Sequence, residues 1–147
     1  MKPFGPLTFL YVGTTDTARD LRYYRDVLGG EEVWHVKEMG AEVAAVRLGE
    51  GPVILLADHR PAPSVMPIYR VDDIEATAAA LRKRGWKPDS GPFEIPNGPC
   101  YTWKDPTGNA YAFFQDVRPQ VMSFIVAEKG VPEKGGARTA AIRRGKR

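Results

Sequence analysis

The sequence predicts an α+β domain of two βαβββ modules in tandem, forming a partly open mixed-sheet barrel around a cavity. Three observations predict it. Strand-like runs rich in aromatic and β-branched residues hand over to one helical pattern and then to further strand-like runs, and this order occurs twice. Turn residues separate the later runs at the short distances that antiparallel connections need. The two halves also superpose: Val12 falls on Val71 at an offset of 59, Ala18 on Ala76 at 58, and Gly51-Pro52-Val53-Ile54-Leu55 on Gly108-Asn109-Ala110-Tyr111-Ala112 at 57, an internal repeat.

Leu7-Thr8-Phe9-Leu10-Tyr11-Val12 reads as the first strand, and Gly13-Thr14-Thr15-Asp16 as the turn after it. Ala18, Leu21, Tyr24 and Leu28 then mark one apolar helix face, with Asp16 placed to cap the first turn and Gly29-Gly30 to end the helix. Strands are expected over 32–38, 41–48 and 52–58, divided by Met39-Gly40 and Gly49-Glu50-Gly51. The second half begins with a strand over 65–71. Asp72 and Glu75 have capping-box spacing, and Ile74, Ala78 and Leu81 give the apolar stripe of a helix that stops at Gly85. Strands are expected near 93–95, 99–103 and 110–116. The modules run from about 5 to 59 and from 64 to 117, inside a domain over 1–118.

With 147 residues, 43% apolar and 27% charged, the chain suits one globular domain able to bury a core. The N-terminal residues lack the apolar run of a signal peptide and no stretch is long enough to span a bilayer, so the expectation is a cytoplasmic protein without membrane contact. Cys100 stands alone, which suits a reducing compartment and a packing role. The net charge of +3 is unevenly placed: residues 1–118 carry 14 Lys/Arg against 16 Asp/Glu, and residues 119–147 carry 7 against 2. Residues 119–127 suggest a short terminal helix or strand. Beyond 128 the Gly- and charge-rich extension has little to bury and is expected to be mobile. Its basic end, with no aromatic residue after Phe124, reads as a solvated tail and not as a nucleic-acid binder.

The run from Leu10-Tyr11-Val12 through Asp16 and Ala18 to Tyr23-Tyr24-Arg25-Asp26-Val27-Leu28-Gly29, followed by Val71-Asp72-Asp73 and Asp105-Pro106-Thr107-Gly108-Asn109, resembles the glyoxalase/bleomycin-resistance/extradiol-dioxygenase group, the vicinal-oxygen-chelate superfamily. The resemblance covers about residues 5–117. It implies the tandem fold and leaves the chemistry open, because the family hosts lyases, isomerases, dioxygenases, conjugating enzymes and drug-binding proteins. Family enzymes hold a divalent metal with His, Gln or Glu side chains at four strand positions. Mapped by the strand motifs, these are Leu7, Leu55, Met66 and Ala112, and no His, Asp or Glu stands within two residues of any of them. A hard cation needs oxygen or nitrogen lone pairs, so no metal and no cofactor is expected. His35 and His59 lie outside those positions and read as surface or turn residues.

Strand parity places Phe9 and Tyr11, Leu55, Met66, and Ala112 and Phe114 toward the cavity. Trp34, Tyr101 and Trp103 are expected on its walls, with Arg47, Arg70 or Lys104 supplying charge at the mouth. These residues describe an apolar, aromatic-walled pocket for a flat organic ligand; the competing reading is a filled core. The resemblance to bleomycin-resistance proteins implies a metal-independent binder acting as a homodimer, with a small organic molecule as partner. The alternatives are a lyase, isomerase or dioxygenase-like enzyme of a small oxygenated metabolite, with Tyr11, Tyr101, Glu38 or Glu42 as acid or base, and an interaction module acting through the tail.

Overall fold

The computed structural model describes residues 2–119 except Met39. The expected features over 120–147 lie outside the described residues. Eight strands and two α-helices follow the order β1 (Leu7–Gly13), α1 (Thr17–Arg22), β2 (Glu31–Glu38), β3 (Ala41–Arg47), β4 (Val53–Ala57), β5 (Val65–Val71), α2 (Ile74–Arg82), β6 (Ser90–Ile95), β7 (Gly98–Lys104) and β8 (Ala110–Gln115). The strands form an open mixed sheet in the order β2-β3-β4-β1-β5-β8-β7-β6. The α+β class and tandem order are therefore those the sequence predicts. No helix of the described residues is long and apolar enough to cross a membrane.

The chain divides into two compact units, Leu10–Val65 and the residues up to Phe9 together with Met66–Pro119. In the first, β2 and β3 pair antiparallel, with a bulge between Glu32 and Trp34, and β3 pairs antiparallel with β4. Asp16 caps α1 by accepting from the Arg19 N–H at 3.0 Å, which satisfies one of the free donors at a helix start. Leu21 packs with Ala44, Val46 and Leu56, flanked by Val12, Tyr24 and Ile54.

The expected helix face is cut short. After Arg22 the chain makes a π-helical turn over Tyr23–Val27, in which the Leu28 N–H donates to the carbonyl of Tyr23, five residues back, at 3.1 Å. The wider turn shifts every later side chain off the α-helical stripe. Leu28 is consequently 46% exposed instead of buried.

In the second unit β5 and β8 run parallel, and β8-β7 and β7-β6 pair antiparallel. The cap of α2 is Asp73, which accepts from the Ala76 N–H at 3.0 Å, and not Asp72 as the capping-box spacing suggested. The Ile74 N–H donates to Gln115 Oε1 at 3.0 Å, so a side chain from β8 satisfies a second donor of that helix end. Val71, Ile74, Ala78, Leu81, Tyr101 and Phe113 form its core, joined by Phe4, Tyr69, Trp86 and Trp103.

Candidate functional site

In the Leu10–Val65 unit the core residues Ala44, Val46 and Leu56 face α1. Alternation along a strand turns their neighbours to the opposite face. The register sets Trp34 beside Ala45 and Ala45 beside Leu55, so these three form one row across β2, β3 and β4. Trp34 is 7% exposed and Ala45 fully buried. The indole Nε1 of Trp34 is buried without a hydrogen-bond partner. Leaving such a donor unpaired costs about 1–3 kcal/mol, and a ligand acceptor would remove that cost. Tyr11 follows the same alternation, because its neighbour Val12 packs toward α1.

The polar end of this face is assembled by a loop. The Tyr11 hydroxyl hydrogen-bonds Nε2 of His59, and the Arg60 guanidinium lies over the Tyr11 ring at 5.2 Å, a cation–π arrangement. Arg60 Nε is buried and unpartnered. Burial raises the Tyr11 pKa, and the Arg60 charge acts in the opposite direction; the phenol therefore stays protonated and able to donate. Gly13 holds the loop in place. Its N–H donates to the Ser64 carbonyl at 3.0 Å, and a Cβ built on it would lie 1.8 Å from the Pro61 carbonyl oxygen. Only glycine leaves room for that approach.

In the other unit the face opposite α2 carries Phe9, Met66, Ile68, Ala112 and Phe114, each no more than 7% exposed. Phe9 and Phe114 pack with ring centroids 5.6 Å apart. The register places Ile68 beside Ala112. Tyr101 and Trp103 correct the expected wall. Tyr101 pairs with Phe113, and Trp103 with Tyr111, so both share the parity of the residues under α2. Tyr101 is 2% exposed inside that core, and Trp103 packs against it. Trp103 also stacks on Phe4 at 5.4 Å and on Tyr111 at 5.3 Å. Neither aromatic faces the side that carries Ala112.

The other candidates separate in the same way. His35 pairs with Glu42 at 2.6 Å across β2 and β3, and His35 stands beside Ala44, on the α1 side. Cys100 is buried, and burial pushes its thiol up to about 12, far from a reactive thiolate. Arg70 is exposed at the end of β5. His59 and Arg60 were not legible as site residues in the sequence. Their one signal is their position directly after β4, in a turn rich in proline.

The four positions that the family resemblance assigns to metal ligands offer a hard divalent cation no oxygen or nitrogen donor. Leu7, Leu55 and Ala112 carry hydrocarbon side chains, and Met66 offers only a thioether, a soft ligand. Among the described residues no group of three or more His, Cys, Asp or Glu is placed to hold a metal ion.

A family model described as the Glyoxalase/Bleomycin resistance protein/Dioxygenase superfamily matches residues 7–113. A search of curated proteins finds no match. Among solved structures, methylmalonyl-CoA epimerase from Mycobacterium tuberculosis is similar at 16% identity and a TM-score of 0.67, over 81% of this chain and 93% of that one. A hypothetical protein from Bacillus halodurans is similar at 15% identity and a TM-score of 0.61, over 74% and 92% of the two chains. A Streptomyces coelicolor methylmalonyl-CoA epimerase in complex with 2-nitronate-propionyl-CoA shares 14% identity at a TM-score of 0.62, over 78% and 99%. At these identities the likeness is one of fold.

Proposed function

Since this chain belongs to the Glyoxalase/Bleomycin resistance protein/Dioxygenase superfamily, we propose that it is a metal-independent small-molecule-binding protein for a flat or hydrophobic organic ligand. The observation that carries this reading is Trp34, a buried ring on an apolar row whose Nε1 lacks a partner. Leu55 on the same row and Tyr11, with His59 and Arg60, at its polar end support it. An aromatic ligand with one carbonyl or carboxylate suits such a face, stacking on the ring and accepting from the indole N–H. Phe9, Met66, Ala112 and Phe114 give the other unit an apolar face of its own; Tyr101 and Trp103 are not part of the proposal. A homodimer, checked by light scattering of the full chain, and a cytoplasmic location, checked by cell fractionation, belong to the same reading.

The test combines elemental analysis of untagged protein with ligand screening by tryptophan fluorescence. The expected result is no stoichiometric metal, and a ligand whose affinity falls roughly fivefold to tenfold in Trp34→Phe, which keeps an aromatic ring for stacking and deletes the indole N–H with its hydrogen bond of ~1 kcal/mol. Trp103→Phe serves as the control and leaves affinity unchanged. One tightly held metal per chain, or equal affinity in wild type and Trp34→Phe, would overturn the reading.

One observation favours a second reading, a lyase, isomerase or dioxygenase-like enzyme acting on a small oxygenated metabolite. The Tyr11–His59 pair joins a protonated phenol to an imidazole nitrogen, a combination suited to moving a proton beside a carbonyl. Epimerases among the similar folds make a methylmalonyl thioester the first compound to try. Deuterium uptake from solvent that disappears in both Tyr11→Phe and His59→Ala would favour the enzyme; no uptake leaves the binder.

A further inference from the structure

The two repeats carry equivalent polar residues at one place. At the offset of 59 Tyr11 corresponds to Arg70, and at 57 His59 corresponds to Asp116. In the second unit these residues line a cleft of about 240 Å³ with Val71, Asp72 and Gln115, at the ends of β5 and β8. Its walls are polar, and its volume lies below the roughly 300 Å³ at which pockets begin to admit drug-sized molecules.

The cleft stands on a fixed backbone. The Arg70 N–H donates to the Pro6 carbonyl at 3.0 Å, and the Gly5 N–H to the Arg70 carbonyl at 2.8 Å. A Cβ on Gly5 would lie 2.6 Å from that carbonyl oxygen, so the N-terminal segment is held close to β5. The nearby start of α2 is not an open anion site: its Ile74 and Ala76 donors are taken by Gln115 Oε1 and Asp73.

One side-chain oxygen of the cleft, by contrast, is left unsatisfied. Oδ1 of Asp116 is buried without a hydrogen-bond partner. A buried carboxylate oxygen is expensive to leave bare, and a native structure that keeps one calls for a donor. Arg70 lines the same cleft, and no ion pair among the described residues joins it to Asp72 or Asp116. The chain thus sets an exposed guanidinium and a carboxylate with one unpartnered oxygen on the walls of one small cleft, with no ion pair between them.

We infer that this cleft is a binding site for a small zwitterion, an α-amino acid or the amino-acid end of a slightly larger molecule. The ligand ammonium satisfies Asp116, with Asp72 adding negative potential, and the ligand carboxylate meets the planar guanidinium of Arg70. A divalent cation alone fits poorly, because only two carboxylates line the cleft and Arg70 repels it. An anion alone leaves Asp116 bare and meets two carboxylates. The cleft belongs to one unit and the aromatic face to the other, so each stands or falls by its own test.

The experiment uses the full chain labelled with ¹⁵N, titrated with glycine, L-alanine, L-serine and L-glutamate, and with methylamine and acetate as half-ligands. Saturable shifts of the Val71, Gln115 and Asp116 amides are expected with at least one amino acid, at an affinity ~10-fold or more above either half-ligand. Arg70→Gln and Asp116→Asn, with melting curves confirming that they fold, are each expected to weaken that amino acid by a similar factor, while Val27→Ala, at an exposed position outside both sites, has no effect. No saturable shift with any amino acid into the tens of millimolar overturns the inference. So does methylamine binding as tightly as the amino acids, or binding unchanged in both variants. Because the half-ligand comparison is made on wild-type protein, it decides the matter even if a variant fails to fold.

Discussion

The Tyr11 hydroxyl and Nε2 of His59, 48 residues apart in the chain, are joined by a hydrogen bond beneath the guanidinium of Arg60. Burial raises the phenol pKa above its ordinary 10.0, with Arg60 opposing. A group held protonated in this way stabilises the fold fully below pH 10, and the contribution is lost as pH rises through the folded-state value.

Of the six tyrosines, Tyr11 and Tyr24 both have phenols raised mainly by burial. Alkaline titration followed by phenolate absorbance should therefore show late-ionising phenols in the native protein. Tyr11→Phe should remove one of them and cost ~1 kcal/mol below pH 10. An unchanged late phase in the variant would mean that Tyr11 titrates normally and that the pair does not form.

Gly13 should be intolerant of a side chain. Gly13→Ala puts a methyl 1.8 Å from the Pro61 oxygen, so the loop bearing His59 and Arg60 must move, at ~1–3 kcal/mol. Gly49→Ala, with nothing within 4 Å of the new atom, should be neutral in denaturant midpoint. Equal midpoints for the two variants would show that the loop does not depend on that close approach.

Phe113 should dominate the core under α2. It is fully buried, with the rings of Phe4, Trp86, Tyr101 and Trp103 at 5.5–5.7 Å. Phe113→Ala is expected to cost ~3–5 kcal/mol, against less than ~0.5 for Val27→Ala at an exposed position; Val27 is 67% exposed. Urea unfolding of both would expose any error in this assignment of the core.

Asp105 organises the turn before β8. Its Oδ1 accepts from the N–H groups of Thr107 at 3.1 Å, Gly108 at 2.9 Å and Asn109 at 2.9 Å, and Oδ2 from the Asn109 amide at 3.0 Å. These donors, Asn109 first, hold its pKa below the ordinary 3.8. The stabilisation is thus present above pH 3.8 and lost as pH falls through the lower folded value. Asp105→Asn should melt below wild type at pH 6, and the gap should close in acid. A gap that persists below pH 2 would assign the effect to something other than the charge.

The sequence by itself determined the α+β class, the tandem order of the elements and the strand limits to within a few residues. These rest on local rules: turn residues, helix ends and the two-residue alternation of a strand act over a few positions and survive without knowledge of partners. Phe9, Met66, Ala112 and Phe114 could be assigned one face each by parity alone. Tyr101 and Trp103 could not, because a one-residue change in the pairing of β7 with β8 exchanges their face, and only the assembled ladder fixes that register. The π-helical turn that exposes Leu28 is similarly invisible to a pattern that assumes a constant period. The meeting of Tyr11, His59 and Arg60 was decided by tertiary structure, since it depends on a loop folding back over β1 through the space that Gly13 leaves. So was the cleft of Arg70 and Asp116, whose side chains come together only because the ends of two parallel strands lie side by side.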